Sequence, residues 1–106
     1  MAWTYLFIAG LLEVAWAIGL KYTDGFKKPA ASVVTVILMI GSFYVLSLAI
    51  RTLPIGTGYA VWTGIGALGT AMLGMLLFHE PVNAMRIACL GLIIAGILGL
   101  KVTSGS

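Results

Sequence analysis

Glu13 is the residue whose type and position point most directly to chemistry. It stands near the middle of an otherwise apolar run, AWTYLFIAGLLEVAWAIGL, over residues 2–20. A carboxylate at the centre of a membrane helix costs about 3 kcal/mol on insertion scales, and such groups usually mark ion, proton or substrate sites. A carboxyl group can hold a proton or a cation, and the two ligands exclude each other. We therefore predict a binding site at Glu13; the structural alternative is a protonated carboxyl group that only hydrogen-bonds a neighbouring helix.

Four other polar or aromatic residues could complete such a site. Trp16 lies one helical turn after Glu13 on the same face, with an indole N–H donor and a π face for a cation. Tyr59 and Trp62 are three residues apart and also share a helix face, while Ser42 falls well inside another apolar segment. A buried serine in a membrane helix often bonds only its own backbone. Together, however, these residues predict a polar cation site with aromatic walls.

Two further patterns do not predict a cofactor or metal site. Gly64, Gly66 and Gly69 match GxGxxG, but no strand precedes them and no acidic residue follows about 20 positions later, so we expect a bend in a membrane helix. His79 and Glu80 are adjacent in a predicted turn and are expected to be solvated, without further ligands for a metal. No nucleophile set or cofactor motif indicates an enzyme.

The composition indicates that these residues belong to a membrane protein. Of 106 residues, 61% are hydrophobic and 8% are charged, whereas a soluble domain has about 25% charged residues. Four long stretches are free of charge except for Glu13. They predict an all-α integral membrane protein with a single four-helix transmembrane domain over residues 1–106. Its helices are predicted at about residues 2–20, 30–50, 55–78 and 86–101.

The charged residues mark the ends of these helices. The net charge is +3, but the basic residues stand at segment ends rather than on one face, which excludes a nucleic-acid surface. Loops one and three carry Lys21, Lys27, Lys28 and Arg86, and the opposite side carries Arg51 and Lys101. This four-to-two split is a weak bias for the positive-inside rule. Insertion in both orientations, and hence an antiparallel dimer, is a hypothesis from charge alone.

Small residues at helical spacing indicate where helices can approach closely. Gly91, Ala95 and Gly99 recur every four positions in the fourth segment, as do Gly56, Ala60 and Gly64 in the third. Such stripes favour close packing in lipid. Because four short helices enclose little interior, we expect oligomerisation to complete a solute site.

Two stretches, LLEVAWAIGLKYTDGF and LPIGTGYAVWTGIGALG, resemble the small multidrug resistance family of bacterial four-helix transporters. The resemblance covers essentially the whole chain, and WAIGLK directly after Glu13 is similar to the guanidinium exporters of that family. It implies an antiparallel, dual-topology homodimer in the bacterial inner membrane that exchanges protons for guanidinium cations. Gly58 departs from the family pattern, in which Ala is commoner before the Tyr. The resemblance also implies that Glu13 binds the cation or proton, surrounded by Trp16, Ser42, Tyr59 and Trp62.

Two alternatives remain open at this point. An exporter of quaternary ammonium or other hydrophobic cations would depend on aromatic walls, because those cations donate no hydrogen bonds. A membrane bundle that transports nothing would leave Glu13 without a role.

Overall fold

The computed structural model describes residues 2–103, which form four α-helices. These are α1 (Ala2–Tyr22), α2 (Pro29–Ala49), α3 (Ile55–Leu77) and α4 (Ala84–Thr103). By length and composition each is long and apolar enough to cross a membrane. At 1.5 Å per residue, 20 to 23 residues extend about 30–35 Å, which matches the hydrocarbon core of a bilayer. The prediction of four membrane-length helices is confirmed.

The fourth helix is longer than its uncharged stretch. It begins at Ala84 and ends at Thr103, so Arg86 and Lys101 lie within its first and last turns. Long basic side chains are compatible with these positions because their charged ends reach the membrane surface. Lys101 places its Nζ 5.1 Å from the ring centre of Trp3 in α1, at the same end of the bundle.

The connection between α1 and α2 is a tight turn. Asp24, Gly25 and Phe26 all have positive φ angles, of 49°, 70° and 66°. The buried Thr23 holds the turn, since its hydroxyl donates to the Leu20 carbonyl at 2.7 Å and accepts from the Phe26 N–H at 3.2 Å. The chain can then enter α2 at Pro29, whose fixed φ suits the first position of a helix.

Helix α1 is the centre of the packing. Its backbone lies close to both α2 and α3, whereas the backbone of α4 lies close only to α3 among the helices of residues 2–103, and α4 reaches α1 through the side chain of Lys101. A small buried cluster joins the first three helices and the turn after α2; its members are Leu6, Ala9, Ala49, Leu53, Val61 and Trp62. Within the described residues α4 contributes no buried side chain. The Cα atoms extend over 44 × 35 × 16 Å, so the backbone forms a slab that is much thinner along one axis than along the other two.

Candidate functional site

The Glu13 side chain is directed at the backbone of α3. Successive contacts join Gly10 to Ile65, Glu13 to Gly66 and Val14 to Gly69, so α1 and α3 run in the same direction along this interface. Gly66 is buried, and a Cβ atom there would overlap the Glu13 carboxyl group. The space for the carboxyl group therefore exists because position 66 has no side chain.

Two polar atoms of α1 have hydrogen-bonding capacity that this chain does not use. Glu13 Oε1 and Trp16 Nε1 are both buried, and neither has a hydrogen-bond partner within residues 2–103. Burying a polar group without a partner is costly. One atom accepts a hydrogen bond and the other donates one, so together they can bind a ligand, a proton or a group of a second subunit. The hydroxyl of Thr70, one turn after Gly66 in α3, is also buried without a partner within residues 2–103.

Ser42 joins three helices through hydrogen bonds. It is fully buried, donates from Oγ to the Ala9 carbonyl at 2.8 Å, and accepts from Trp62 Nε1 at 3.0 Å. The resemblance predicts that Ser42 and Trp62 both surround Glu13. In residues 2–103 the hydrogen bonds of both side chains go to these partners. Ser42 therefore fixes the position of the Trp62 indole relative to α1.

Four aromatic rings form a continuous series across α1, α2 and α3. Trp16 contacts Phe43 at 6.2 Å between ring centres, Phe43 contacts Trp62 at 5.6 Å, and Trp62 contacts Tyr59 at 5.6 Å. These distances fall in the range favoured by tilted and edge-to-face pairs. The structure thus brings three predicted aromatic residues into one series, although Tyr59 is 58% exposed beside the groove between α3 and α4.

Sequence reasoning missed two residues of this arrangement. Phe43 connects the two tryptophans. An aromatic residue in an apolar helix is not distinctive, and only its position next to Ser42 in the sequence indicated that it lies near this site. Gly66 was assigned only to a predicted bend. In the structure α3 continues through Gly64, Gly66 and Gly69 as one helix, and these glycines meet side chains of α4 and α1.

In the turn between α3 and α4, Glu80 differs from the prediction that it is solvated. Glu80 is half-buried and accepts a hydrogen bond from Arg86 Nη2 at 2.7 Å, so it is paired rather than freely solvated. Residues 2–103 contain no group of three His, Cys, Asp or Glu side chains that could hold a metal ion.

Replacing Ser42 by Ala tests the junction between the helices. The variant leaves the buried Trp62 N–H without an acceptor, which costs about 1–3 kcal/mol. We expect a lower free energy of unfolding in detergent and a shift of tryptophan emission. Ser47→Ala is the matched control in the same helix, because the exposed Ser47 hydroxyl bonds only the Tyr44 carbonyl of its own helix. Equal stability of the two variants would contradict the role given to Ser42.

Comparisons with known proteins agree with the four-helix architecture. The sequence profile described as Small Multidrug Resistance protein matches residues 1–93. A protein of Citrobacter freundii named "Guanidinium exporter" is 58% identical over 104 residues, covering 98% of this chain and 99% of the relative. A Yersinia pseudotuberculosis protein of the same name is 57% identical, covering 98% of this chain and all of the relative. With its four apolar helices and these bacterial relatives, the chain is a multi-pass protein of the bacterial inner membrane. It belongs to the small multidrug resistance family.

Proposed function

We propose that this protein is an antiporter that exports guanidinium cations across the inner membrane in exchange for protons. The observation that carries the proposal is the buried carboxyl oxygen of Glu13, which has no hydrogen-bond partner within residues 2–103. Membership of the family and the name of two relatives that are 58% and 57% identical support export and this substrate. These relatives are named as exporters, not as enzymes.

The chemistry of guanidinium suits the groups around Glu13. The cation is planar, and its N–H donors match a carboxylate in a bidentate arrangement. The Trp16 N–H lies one turn away and can donate to the same carboxylate. The series of rings from Trp16 to Tyr59 provides faces that attract a cation. Glu13 is thus proposed to bind the ion, with Trp16, Ser42, Tyr59 and Trp62 as its surround.

The coupling of proton movement to guanidinium movement follows from their competition for the Glu13 carboxyl group. A protonated Glu13 is neutral and cannot pair with a cation, whereas an ionised Glu13 can. Proton and guanidinium therefore occupy the site in turn, and exchange results if the site opens to one side of the membrane at a time. The absence of a side chain at Gly66 gives the carboxyl group its place beside α3.

An antiparallel, dual-topology homodimer is the assembly that we propose for this exchange. The Cα atoms of the slab span only 16 Å along its shortest axis, and within residues 2–103 α4 buries no side chain. Gly91 and Gly99 of α4 have open space where a Cβ would stand, which suits close approach of a second helix. Two Glu13 side chains could then bracket one cation, and they would titrate as a coupled pair.

Export of quaternary ammonium compounds is the second candidate. The continuous series of four rings favours it, because such cations depend on aromatic faces. Guanidinium remains the preferred substrate, since the unpartnered carboxyl oxygen is best used by a cation that donates hydrogen bonds.

Transport by purified protein in proteoliposomes tests the substrate and the role of Glu13. An imposed proton gradient should drive guanidinium movement, and Glu13→Gln should reduce it to the level of protein-free liposomes because the amide neither ionises nor pairs with the cation. Glu80→Gln is the matched control and should retain transport, since Glu80 lies in the α3–α4 turn. Transport of tetraethylammonium but not guanidinium would favour the second candidate. Transport of guanidinium by Glu13→Gln would contradict the proposal.

The pH dependence of binding tests the exchange. Because proton and cation compete for Glu13, the apparent affinity for guanidinium should fall as the pH is lowered. Binding near neutral pH should also release protons, which isothermal titration calorimetry detects as a dependence of the heat on the buffer's ionisation enthalpy. Heats that are the same in all buffers, with an affinity independent of pH, would contradict competition at one carboxyl group.

Replacing Gly66 by Ala tests the space beside Glu13. The added Cβ would overlap the carboxyl group, so we expect loss of guanidinium binding although Ala favours helix formation by about 1 kcal/mol. Gly56→Ala is the matched control in the same helix, because a Cβ there meets no atom within 4 Å in the described structure. Calorimetry and thermal unfolding of both variants separate binding from folding. Wild-type affinity in Gly66→Ala would show that the approach of α3 does not shape the site.

A further inference from the structure

A groove lies between α1 and α2 on the side of α1 away from Gly66. Its volume is about 430 Å³, within the range of ligand-sized pockets. The groove exists because small side chains face each other along its length, and aliphatic ones complete its walls. Representative lining residues are Ala15, Ile18 and Tyr22 of α1 with Ala31, Val34 and Leu38 of α2.

One end of the groove lies at the turn between α1 and α2, and the other lies deeper in the membrane. Tyr22 ends α1 and Ala31 lies in the first turn of α2, so both mark the turn end. Ala15 is seven residues before Tyr22, which corresponds to about 10 Å along the helix. The groove therefore extends about 10 Å from the membrane surface into the hydrocarbon region, where its occupant must be apolar.

The turn end of the groove is positively charged. Lys27 and Lys28 are exposed directly before α2, and Asp24 is the one acidic residue of the turn. Lys21 is engaged elsewhere, with its Nζ 4.8 Å from the ring centre of Phe78. In the neighbouring α3–α4 turn Glu80 and Arg86 neutralise each other. Lys27 and Lys28 together outweigh the single charge of Asp24, and they directly precede Pro29 and Ala30, the latter of which lines the mouth of the groove.

The beginning of α2 adds backbone donors at the same place. Lys28 is the N-cap residue, and its side chain makes no capping hydrogen bond within the described residues. The first N–H groups of a helix have no carbonyl partner in that helix and attract anions. The N–H groups of Ala30 and Ala31, which line the groove, are in this position.

We propose that this groove binds an anionic phospholipid of the surrounding membrane. One acyl chain lies between α1 and α2, and the headgroup phosphate contacts Lys27, Lys28 and the first turn of α2. A soluble anion would not use the apolar length of the groove, and a zwitterionic lipid would gain less from the two lysines. Phosphatidylglycerol has both the acyl chains and the net negative charge that the groove requires.

Native mass spectrometry of the full-length protein, titrated with phosphatidylglycerol or phosphatidylcholine, tests this site. Each lysine near an anionic headgroup contributes about a fivefold factor in affinity, so two predict a preference for phosphatidylglycerol of roughly 25-fold. The double variant Lys27→Gln/Lys28→Gln should remove the preference. Arg51→Gln, at the opposite end of the bundle, should keep it. Equal affinity for both lipids in the wild type, or a preference retained by the double variant, would overturn the proposal.

A second pair of variants tests the acyl-chain part of the site. Ala31→Leu fills the groove and should weaken binding of phosphatidylglycerol, whereas Val33→Leu enlarges an exposed side chain of α2 that does not line it. Unchanged thermal unfolding of both variants shows that they fold. Unweakened lipid binding by Ala31→Leu would show that the groove does not hold the acyl chain. Displacement of the lipid by an equal concentration of inorganic phosphate would show that the lysines bind phosphate without the groove. Either result would refute the proposal.

Discussion

The close approach of the Glu13 carboxyl group to the α3 backbone is the constraint on which the rest of the structure depends. A carboxyl group in the middle of a membrane helix carries a cost of about 3 kcal/mol when ionised, so its surroundings must be specific. The contact needs α1 and α3 in one register, with Gly66 facing Glu13 and Gly69 facing Val14. Any larger residue at position 66 would separate the helices or displace the acid. The glycines of α3 therefore set the geometry of the site, although they carry no functional group.

Helix α2 supplies the fixed part of the same region. Hydrogen bonds in an apolar medium are stronger than in water, and an unpaired donor there is expensive. The Ser42 hydroxyl makes two such hydrogen bonds, since it donates to the Ala9 carbonyl and accepts from the Trp62 indole, and it leaves neither donor unpaired. Its neighbour Phe43 carries the contact from Trp62 to Trp16. The indole of Trp62 is thus held by Ser42, while the N–H of Trp16 has no partner within residues 2–103 and can bond a ligand. This difference suits a site in which the Trp62 indole is a fixed wall and the Trp16 N–H is a hydrogen-bond donor to the ligand.

The sequence predicted the helices well because long apolar runs between charged residues are a strong, local pattern. It underestimated α4 by two residues at each end, since the helix extends over Ala84–Thr103 whereas residues 86–101 were predicted. The depth of Ser42 was predictable, but its partners were not, because they depend on how three helices are rotated about their axes. Gly66 was visible in a glycine pattern, yet its contact with Glu13 depends on the register of α1 against α3. Local patterns do not encode that register.

The proposed cation site and the proposed lipid groove lie on different sides of α1. One residue advances about 100° around an α-helix, so Ala15, two residues after Glu13, points about 200° away from it. Glu13 faces α3, and Ala15 lines the groove against α2. A lipid in the groove would therefore contact the α1–α2 pair without entering the site of exchange. Ser42 joins α1, α2 and α3 through its bonds to Ala9 and Trp62, so a change at the contact between α1 and α3 during transport also requires the Trp62–Ser42 hydrogen bond to break.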